Sequence, residues 1–330
     1  MPCELYRIFD TTLRCDFPLP ELPGVSGEDH AISVKLGQGS PDQIQTRGFE
    51  IAFEWRGYDG GVVCWCERSG DEYLCVFPGS ATYHISPEGL ISCFLHQDSS
   101  MQMLRHLLLN QIIPRYLATT GRLVLHAGAV TLENGKSVAF LGNSGLGKST
   151  LVSSFHRNGA QLINDDCILL ECRENGVTAI GGLVGIRLFP DSVNAVFDEA
   201  SGFTNYTPYT DKQQLFLKSQ AGDNLPQPCV LDAMFLLNDP KEESADTICV
   251  EPVSGSEAMI AMIYSAFSLD PSDRKMIVGN FRNVGQAVSE RLDIYSLRYP
   301  RVHERLAEVR AAVVGIVGAL GGPRVRGDDA

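Results

Sequence analysis

The sequence has little of what marks a membrane-spanning, secreted or nucleic-acid-binding protein. Its apolar runs are too short, or too often interrupted by charged residues, to span a bilayer. The start of the chain shows no charged region followed by an apolar run and a small-residue cleavage site, so no secretory signal is expected. Basic runs are missing too, and 27 Lys and Arg against 40 Asp and Glu give a net charge of −13. We therefore expect a cytoplasmic protein that binds neither membranes nor nucleic acids.

The ten cysteines lack the spacing of a zinc site. Cys64 and Cys66 are the closest pair, and no second pair stands at ligand spacing. Two residues apart on a strand, they would share one face, so burial as reduced thiols is the better interpretation. Apolar residues at 44% and charged residues at 20% of 330 are typical of a globular protein with room for two domains.

The first part of the chain, up to about residue 98, is predicted to be β-rich. Apolar and polar residues alternate in 49–55, 62–66 and 73–77, and glycine and proline clusters separate these runs. This pattern is typical of a small sheet built of hairpins. It contains no constellation of residues that indicates catalysis.

A helix should connect this sheet to the rest of the chain. Ser99 or Ser100 can cap it, its apolar positions extend to Leu117, and Pro114 should kink or divide it. We therefore predict a β-rich N-terminal domain with a linking helix over residues 1–118 and a second domain over residues 119–330.

A glycine-rich stretch at 142–150 carries the strongest signal for function, because it fits the pattern G-x-x-x-x-G-K-[ST]. Residues 137–141 before it are typical of a short buried strand, and the apolar periodicity after it predicts a helix. In this context the backbone N–H groups converge on an anion at a helix N-terminus. The sequence thus predicts that ATP binds to the loop formed by Gly142, Asn143, Ser144, Gly145, Leu146, Gly147, Lys148, Ser149 and Thr150. Lys148 would reach the β- and γ-phosphates, and the Ser149 hydroxyl would ligate Mg²⁺.

Paired carboxylates follow the next predicted strand, 161–164. Ligands of open α/β sheets lie at the C-terminal ends of strands, so Asp165 and Asp166 should lie beside the glycine-rich loop. One carboxylate can serve Mg²⁺ and the other can accept a proton from an attacking hydroxyl. Asp239, after the apolar run 233–237, is a rival for the magnesium role and ranks below the pair.

The order of these features resembles the HPr kinase/phosphorylase family. The resemblance rests on 125–130 with its His126, then the loop, then 162–166, and it extends more weakly to 185–192, 211–212 and 295–300. The later stretches are similar to the HPr-kinase-related branch, which includes lasso-peptide kinases. The implied fold is α/β, with a P-loop kinase domain of HPr kinase/PEP carboxykinase type preceded by a β-rich α+β N-terminal domain.

The resemblance also implies roles for individual residues. His126 would lie near the acceptor, Asp165 would be the base, and Asp166 would join Ser149 in serving Mg²⁺. Lys212 stands where the family has a basic residue against the transferring phosphate. Asn143 departs from the family's aspartate, and the glycine-rich signature linked with dephosphorylation is not recognisable.

The function expected from these features is an ATP- and Mg²⁺-dependent kinase that phosphorylates a serine hydroxyl of a peptide or protein, such as a lasso-peptide precursor. A small-molecule hydroxyl kinase and a nucleotide-sensing regulator without turnover remain alternatives. A transporter ATPase is unlike this chain, because no L-S-G-G-Q signature follows Lys148. Members of the HPr kinase/phosphorylase family assemble into oligomers, and the resemblance leaves open whether this chain forms a homo-oligomer.

Overall fold

The computed structural model describes residues 3–27, 29–38, 48–56, 60–183, 185–197, 202–205, 211–216, 226–240, 246–289 and 292–320. Over these residues the chain is a mixed α/β protein with a β-rich first part. It contains one sheet of eight strands, one of nine and one of three.

The eight-stranded sheet confirms the hairpins predicted for the first part of the chain. Its strands are β1 Glu4–Ile8, β2 Thr11–Cys15, β3 Ile32–Leu36, β4 Glu50–Arg56, β5 Val62–Ser69, β6 Glu72–Phe77, β7 Ala81–Ile85 and β8 Leu90–Leu95. They are ordered β1-β2-β3-β8-β7-β6-β5-β4, and β4 to β8 form an antiparallel meander. Cys64 and Cys66 are buried on one face, as their spacing predicted.

The linking helix is divided, as predicted from the presence of Pro114. Helix α1 (Met101–Leu107) begins at Ser100, whose hydroxyl accepts a hydrogen bond from the Met103 N–H at 3.1 Å. A π-helical segment, Leu108–Ile112, separates it from α2 (Ile113–Thr119), which carries Pro114 in its first turn. Pro114 donates no hydrogen bond, so it fits a helix start and interrupts a longer one.

This divided helix packs into a core that both parts of the chain share. Leu104, Leu108 and Ile112 are fully buried, and their hydrophobic cluster contains residues of the first sheet together with Leu169 and Phe267. The apolar core of the first part therefore continues across residue 118 into the second.

The nine-stranded sheet positions the glycine-rich loop. Its strands are β9 Leu123–Leu125, β10 Ala127–Thr131, β11 Ser137–Leu141, β12 Gln161–Asn164, β13 Ile168–Arg173, β14 Gly176–Gly181, β18 Cys229–Leu237, β19 Cys249–Pro252 and β20 Asp293–Arg298. Strands β11, β18 and β20 are parallel neighbours, and β10 pairs antiparallel with both β11 and β12. The C-terminal ends of β11 and β12 therefore lie at the same edge, where β10 begins.

The apolar run 123–130 alone predicts one strand, and this prediction is wrong at His126. Strand β9 pairs with β13, whereas β10 pairs with β11 and β12. Between the two, the His126 N–H donates to the Ser265 carbonyl at 2.7 Å. Because this hydrogen bond takes the backbone out of the ladder, the chain passes from one part of the sheet to the other at His126.

The remaining elements cover the sheet and its edge. The helices are α3 Lys148–Arg157, α4 Pro190–Val196, α5 Gly255–Tyr264, α6 Arg274–Ser289 and α7 Leu306–Ala319. The small sheet consists of β15 Gly185–Leu188, β16 Thr204–Asn205 and β17 Gln213–Phe216, with β17 in the middle. Within the residues described, none of the helices has the length and apolar character needed to cross a bilayer.

Candidate functional site

The glycine-rich loop connects the end of β11 to the start of α3. Gly147 precedes the helix with φ of 84°, a conformation that glycine adopts without strain. A Cβ atom at Gly147 would also lie 3.3 Å from the Tyr299 hydroxyl. The loop thus enters the helix through a turn that favours glycine, and it places backbone N–H groups at a helix N-terminus, where an anion is stabilised.

Lys148 is folded back over this loop. Its ammonium group donates hydrogen bonds to the carbonyl oxygens of Gly142 at 2.6 Å and Asn143 at 3.0 Å. Burial lowers its pKa to about 8, although the Asp166 charge acts in the opposite direction. The charge of Lys148 is therefore held within the turn that would surround a phosphate group.

Asp165 lies directly after β12 and is 2% exposed. Its Oδ2 accepts the Arg187 N–H at 2.9 Å, whereas Oδ1 is buried and has no hydrogen-bond partner among the described residues. Burial and the neighbouring Asp166 raise the pKa of Asp165 to about 6, although the Arg187 N–H and the Ser149 hydroxyl lower it. A buried carboxylate oxygen without a hydrogen-bond partner is costly unless a ligand supplies one.

Asp166 is more accessible and lies among cations. Its carboxylate is 3.3 Å from Arg187 Nη1 and 3.4 Å from His126 Nδ1. Burial disfavours its charge, but His126, Arg187 and two lysines outweigh burial and hold the pKa of Asp166 well below its usual range. Asp166 is therefore fully ionised at neutral pH, whereas Asp165 titrates closer to neutrality.

His126 reaches this pair because the chain crosses the sheet at that residue. Its Nδ1 lies 2.9 Å from the Asp166 carbonyl oxygen. Burial and the Lys148 charge lower the pKa of His126 to about 4, so the ring is neutral at pH 7. A neutral ring that donates Nδ1–H to the carbonyl presents Nε2 as a hydrogen-bond acceptor.

Close packing of β10 supports this arrangement. A Cβ atom at Gly128 would lie 2.6 Å from Val152 Cγ2 and 3.1 Å from the Asp165 carbonyl oxygen. Only glycine therefore lets β10 approach both α3 and the Asp165 backbone.

Arg187 and Lys212 come from the small sheet. Pairing of β15 with β17 places Leu188 opposite Gln213, and the Lys212 ammonium lies 5.3 Å from the centroid of the Phe189 ring. No role was predicted for Arg187, although it lies in the 185–192 stretch that carried part of the resemblance. Its contacts with both aspartates arise from tertiary packing, which spacing alone does not indicate.

Two cavities that share part of their lining lie among these groups. The smaller, about 190 Å³, is lined by the loop residues Gly145, Gly147, Lys148, Ser149 and Thr150 and reaches Asp166. The larger, about 900 Å³, shares with it His126, Ser144, Asp166, Arg187, Phe189 and Lys212. The glycine-rich loop therefore opens, past Asp166, into a much larger space.

Asp239, the rival for the magnesium role, lies outside these two cavities, although the end of β18 adjoins Gly142. It follows β18 and is not among the residues that line either of these two cavities. The residues that the structure brings together at the loop are thus Lys148, Ser149, Asp165 and Asp166 with His126 and Lys212.

The donor set fits a magnesium ion bound together with a phosphate ligand. Across the described part of the chain, no three His, Cys, Asp or Glu side chains cluster as a metal site. Magnesium at phosphoryl-transfer sites needs no such cluster, because one or two carboxylates, water and substrate phosphate oxygens coordinate it. Oδ1 of Asp165, which has no hydrogen-bond partner among the described residues, is a suitable oxygen for this purpose.

Fold and site together define a mixed α/β protein in which a glycine-rich loop at a helix N-terminus lies beside a carboxylate pair. No protein-family model matches the chain, and no curated protein sequence matches it either. A solved structure, the HPr(Ser) kinase/phosphatase from Coxiella burnetii, is distantly similar, with 14% sequence identity and a TM-score of 0.31. The match covers 60% of this chain and 99% of that one. A likeness at this level shows nothing about the chemistry of the site.

Proposed function

We propose that the protein is a kinase that transfers the γ-phosphoryl group of ATP to a hydroxyl group, with a peptide serine as the acceptor. The observation that carries this proposal is that the cavity at Lys148 and Ser149 and a larger cavity share Asp166 and His126 in their linings, so that a second substrate has space beside the loop. Phosphoryl transfer requires both substrates to be aligned across such a junction.

The loop and Lys148 hold the triphosphate in this proposal. Backbone N–H groups at the start of α3 contact the phosphate oxygens, and the Lys148 ammonium exchanges its two loop carbonyls for the β- and γ-phosphates. Negative charge on the phosphate would also restore the full protonation of Lys148, since burial is what lowers its pKa.

We assign different roles to the two aspartates, because their carboxylates lie beside different groups. Asp165 lies on the Ser149 side, so we assign these two oxygens to Mg²⁺, which neutralises charge on the β- and γ-phosphates when bound. Asp166 lines both cavities and lies beside His126, so we assign it to the acceptor hydroxyl and its proton. This assignment reverses the roles that the resemblance implied.

His126 and the two cations complete the site. His126 Nε2 can accept a hydrogen bond from the acceptor while Nδ1–H stays on the Asp166 carbonyl. Arg187 orients both aspartates, through its N–H to Asp165 and its guanidinium to Asp166. Lys212, which lines both cavities, is placed to meet charge on the transferring group.

Labelled ATP tests the proposal. The purified chain is incubated with Mg²⁺, γ-labelled ATP and two acceptor pools, serine-containing peptides and small hydroxyl metabolites, and the products are identified by mass spectrometry. We expect label on a peptide serine with the wild-type chain and with Lys35→Ala, an exposed control lysine. Label on metabolites alone would favour the small-molecule alternative, and ATP binding without transfer to either pool would favour the sensor.

A further inference from the structure

The larger cavity has an aromatic wall built by parts of the chain that are far apart in sequence. Phe53 and Trp55 come from β4 of the first sheet, Phe267 comes from the segment after α5, and Phe281 comes from α6. Aromatic walls with few polar groups are typical of sites that bind a ligand through apolar contact. The catalytic groups lie at one end of this cavity, because Asp166 and His126 also line it.

One cation, Arg115 of α2, lies within this aromatic wall. Its guanidinium carbon is 4.9 Å from the centroid of the Trp55 ring and 5.1 Å from that of Phe267. Its Nη1 donates to the Gln111 carbonyl oxygen at 3.0 Å and to Gln111 Oε1 at 2.7 Å. These contacts fix the plane of the guanidinium and occupy one of its three nitrogens.

Arg115 has no carboxylate within ion-pair distance among the described residues. The two acidic side chains that line the cavity are otherwise engaged, since Asp166 lies 3.3 Å from Arg187 and Asp270 lies 3.1 Å from Arg68. Burial lowers the pKa of Arg115, and the neighbouring Cys64, Cys75, Cys66 and Asp166 side chains only partly offset this. A cation held in an apolar wall without a counter-ion is stabilised when a ligand supplies one.

Apolar surface continues from the cavity onto the outside of the protein. Tyr264 of α5 is 83% exposed, and Ile277 and Phe281 of α6 are 39% and 49% exposed, although all three line the cavity. Ile260 lies one turn before Tyr264 and is 57% exposed. A small molecule inside the cavity would leave this surface bare, whereas a chain that crosses the mouth would cover it.

We propose that this cavity binds an acceptor peptide and that Arg115, held between Trp55 and Phe267, binds a carboxylate of that peptide. Only the role of the peptide as phosphoryl acceptor rests on the proposed function. The aromatic wall, Arg115 and the exposed apolar mouth do not depend on which reaction the protein catalyses. A guanidinium binds a carboxylate through two parallel hydrogen bonds, which fixes orientation as well as affinity. Arg115 is thus a specificity-determining residue that positions the serine of the peptide toward Asp166.

Peptide selection tests the inference without the need for turnover. The chain is immobilised with Mg²⁺ and ADP and exposed to two synthetic libraries of short random peptides, each containing serine. One library has amidated C-termini, so that its carboxylates come from Asp and Glu. The other has free C-termini and lacks Asp and Glu. Bound peptides are identified by mass spectrometry, and the arm that is enriched shows which source of carboxylate is used.

We expect enrichment of carboxylate-bearing peptides with apolar residues in one arm, by about tenfold or more, the usual effect of a charge-assisted hydrogen bond. Arg115→Gln should lose that enrichment, Arg115→Lys should keep part of it, and Arg56→Gln, an exposed arginine on β4, should keep all of it. Thermal melting of each variant reports whether it is folded.

Several results would overturn the inference. These are a wild-type selection with no preference for carboxylates, the same preference in a folded Arg115→Gln, and a second copy of the chain that covers the mouth and excludes peptides. Phosphoryl transfer to metabolites without peptide selection would remove this inference and leave the kinase. Peptide selection that depends on Arg115, without any transfer of label, would sustain the binding site and contradict the kinase.

Discussion

The two parts of the chain contribute different kinds of residue to one site. The second part supplies the loop, the aspartate pair and His126, which follow or precede strands within the nine-stranded sheet. The first part supplies Trp55 and, through the linking helix, Arg115, which lie in a wall of the larger cavity. In our account, groups that act on phosphate come from strand ends, whereas groups that select the acceptor come from contacts between distant segments.

The two parts are joined by more than the shared core. Arg68 of β5 contacts Asp270 and Asp273, which lie before α6. Arg122, just after the linking helix, contacts Asp10 of the first sheet and Glu171 of β13. These ion pairs hold the wall of the larger cavity against the part that carries the loop.

The largest effect that would sharpen this comparison is expected for Asp166→Asn. Loss of a general base usually lowers the rate by about 10²–10⁴-fold. Because Asp166 faces the acceptor in our assignment, steady-state kinetics should show a lower kcat with ATP affinity retained. Asp239→Asn, outside both cavities, is the matched control and should keep wild-type kinetics; a loss there instead would move the site to the end of β18.

Asp165→Asn should act on the metal side. We expect a weaker dependence on Mg²⁺ that higher Mg²⁺ partly rescues, because the variant removes charge beside Ser149. The measurement is a Mg²⁺ titration of transfer rate at saturating ATP. A variant with normal Mg²⁺ and ATP binding but slow transfer would restore the assignment in which Asp165 is the base.

Much of the second part could be predicted from the sequence, because its signals are local. The motif predicted strand β11, the loop and helix α3. The position of the aspartate pair was predicted from the short apolar run that precedes it. The break at His126 was missed, since it depends on a hydrogen bond to the Ser265 carbonyl more than a hundred residues later. A single apolar run gives no sign of such a partner.

The residues that line the larger cavity could not be predicted either, because they too come together through contacts between segments distant in sequence. Trp55 lies in a run of alternating apolar and polar residues, and Arg115 follows Pro114 on a helix. Neither sequence pattern differs from that of an ordinary sheet or helix surface. Their significance comes from the distance that joins them, 4.9 Å from guanidinium carbon to ring centroid. Arg187 was passed over likewise, because its contacts with both aspartates form only when β15 reaches the sheet edge.

Trp55→Ala should have a smaller effect, confined to the acceptor. Removal of the ring takes one aromatic wall from the cavity and one of the two faces that hold Arg115. We expect the KM for a peptide acceptor to rise about tenfold, as for the loss of a buried aromatic contact, with the KM for ATP unchanged. The control is Trp65→Ala, the other tryptophan of the chain, which does not line the cavity. Equal changes in the KM for the peptide and the KM for ATP would mean that acceptor binding and ATP binding are not separated between the two parts of the chain.

The smallest effect is expected on stability, from Arg68→Gln. This variant leaves Asp270, whose side chain is 4% exposed, without its guanidinium partner. We expect a loss of about 1–3 kcal/mol in the free energy of unfolding, the usual cost of leaving a buried polar group without its partner. Arg173→Gln, in an exposed pair with Glu171, should cost about 0–1 kcal/mol. Denaturant titration distinguishes the two, and equal values would show that the Arg68 contacts do not join the two parts.

Calorimetric titration of the chain with ATP tests the central claim, that the loop binds a triphosphate with Mg²⁺. We expect one ATP per chain, bound tightly only when Mg²⁺ is present, with binding retained in Lys35→Ala. In Lys148→Ala the affinity should fall by about 10²-fold, because a charge-assisted contact with the phosphates is lost. Binding of ATP that is equally strong without Lys148, or no binding by the wild-type chain, would contradict the account.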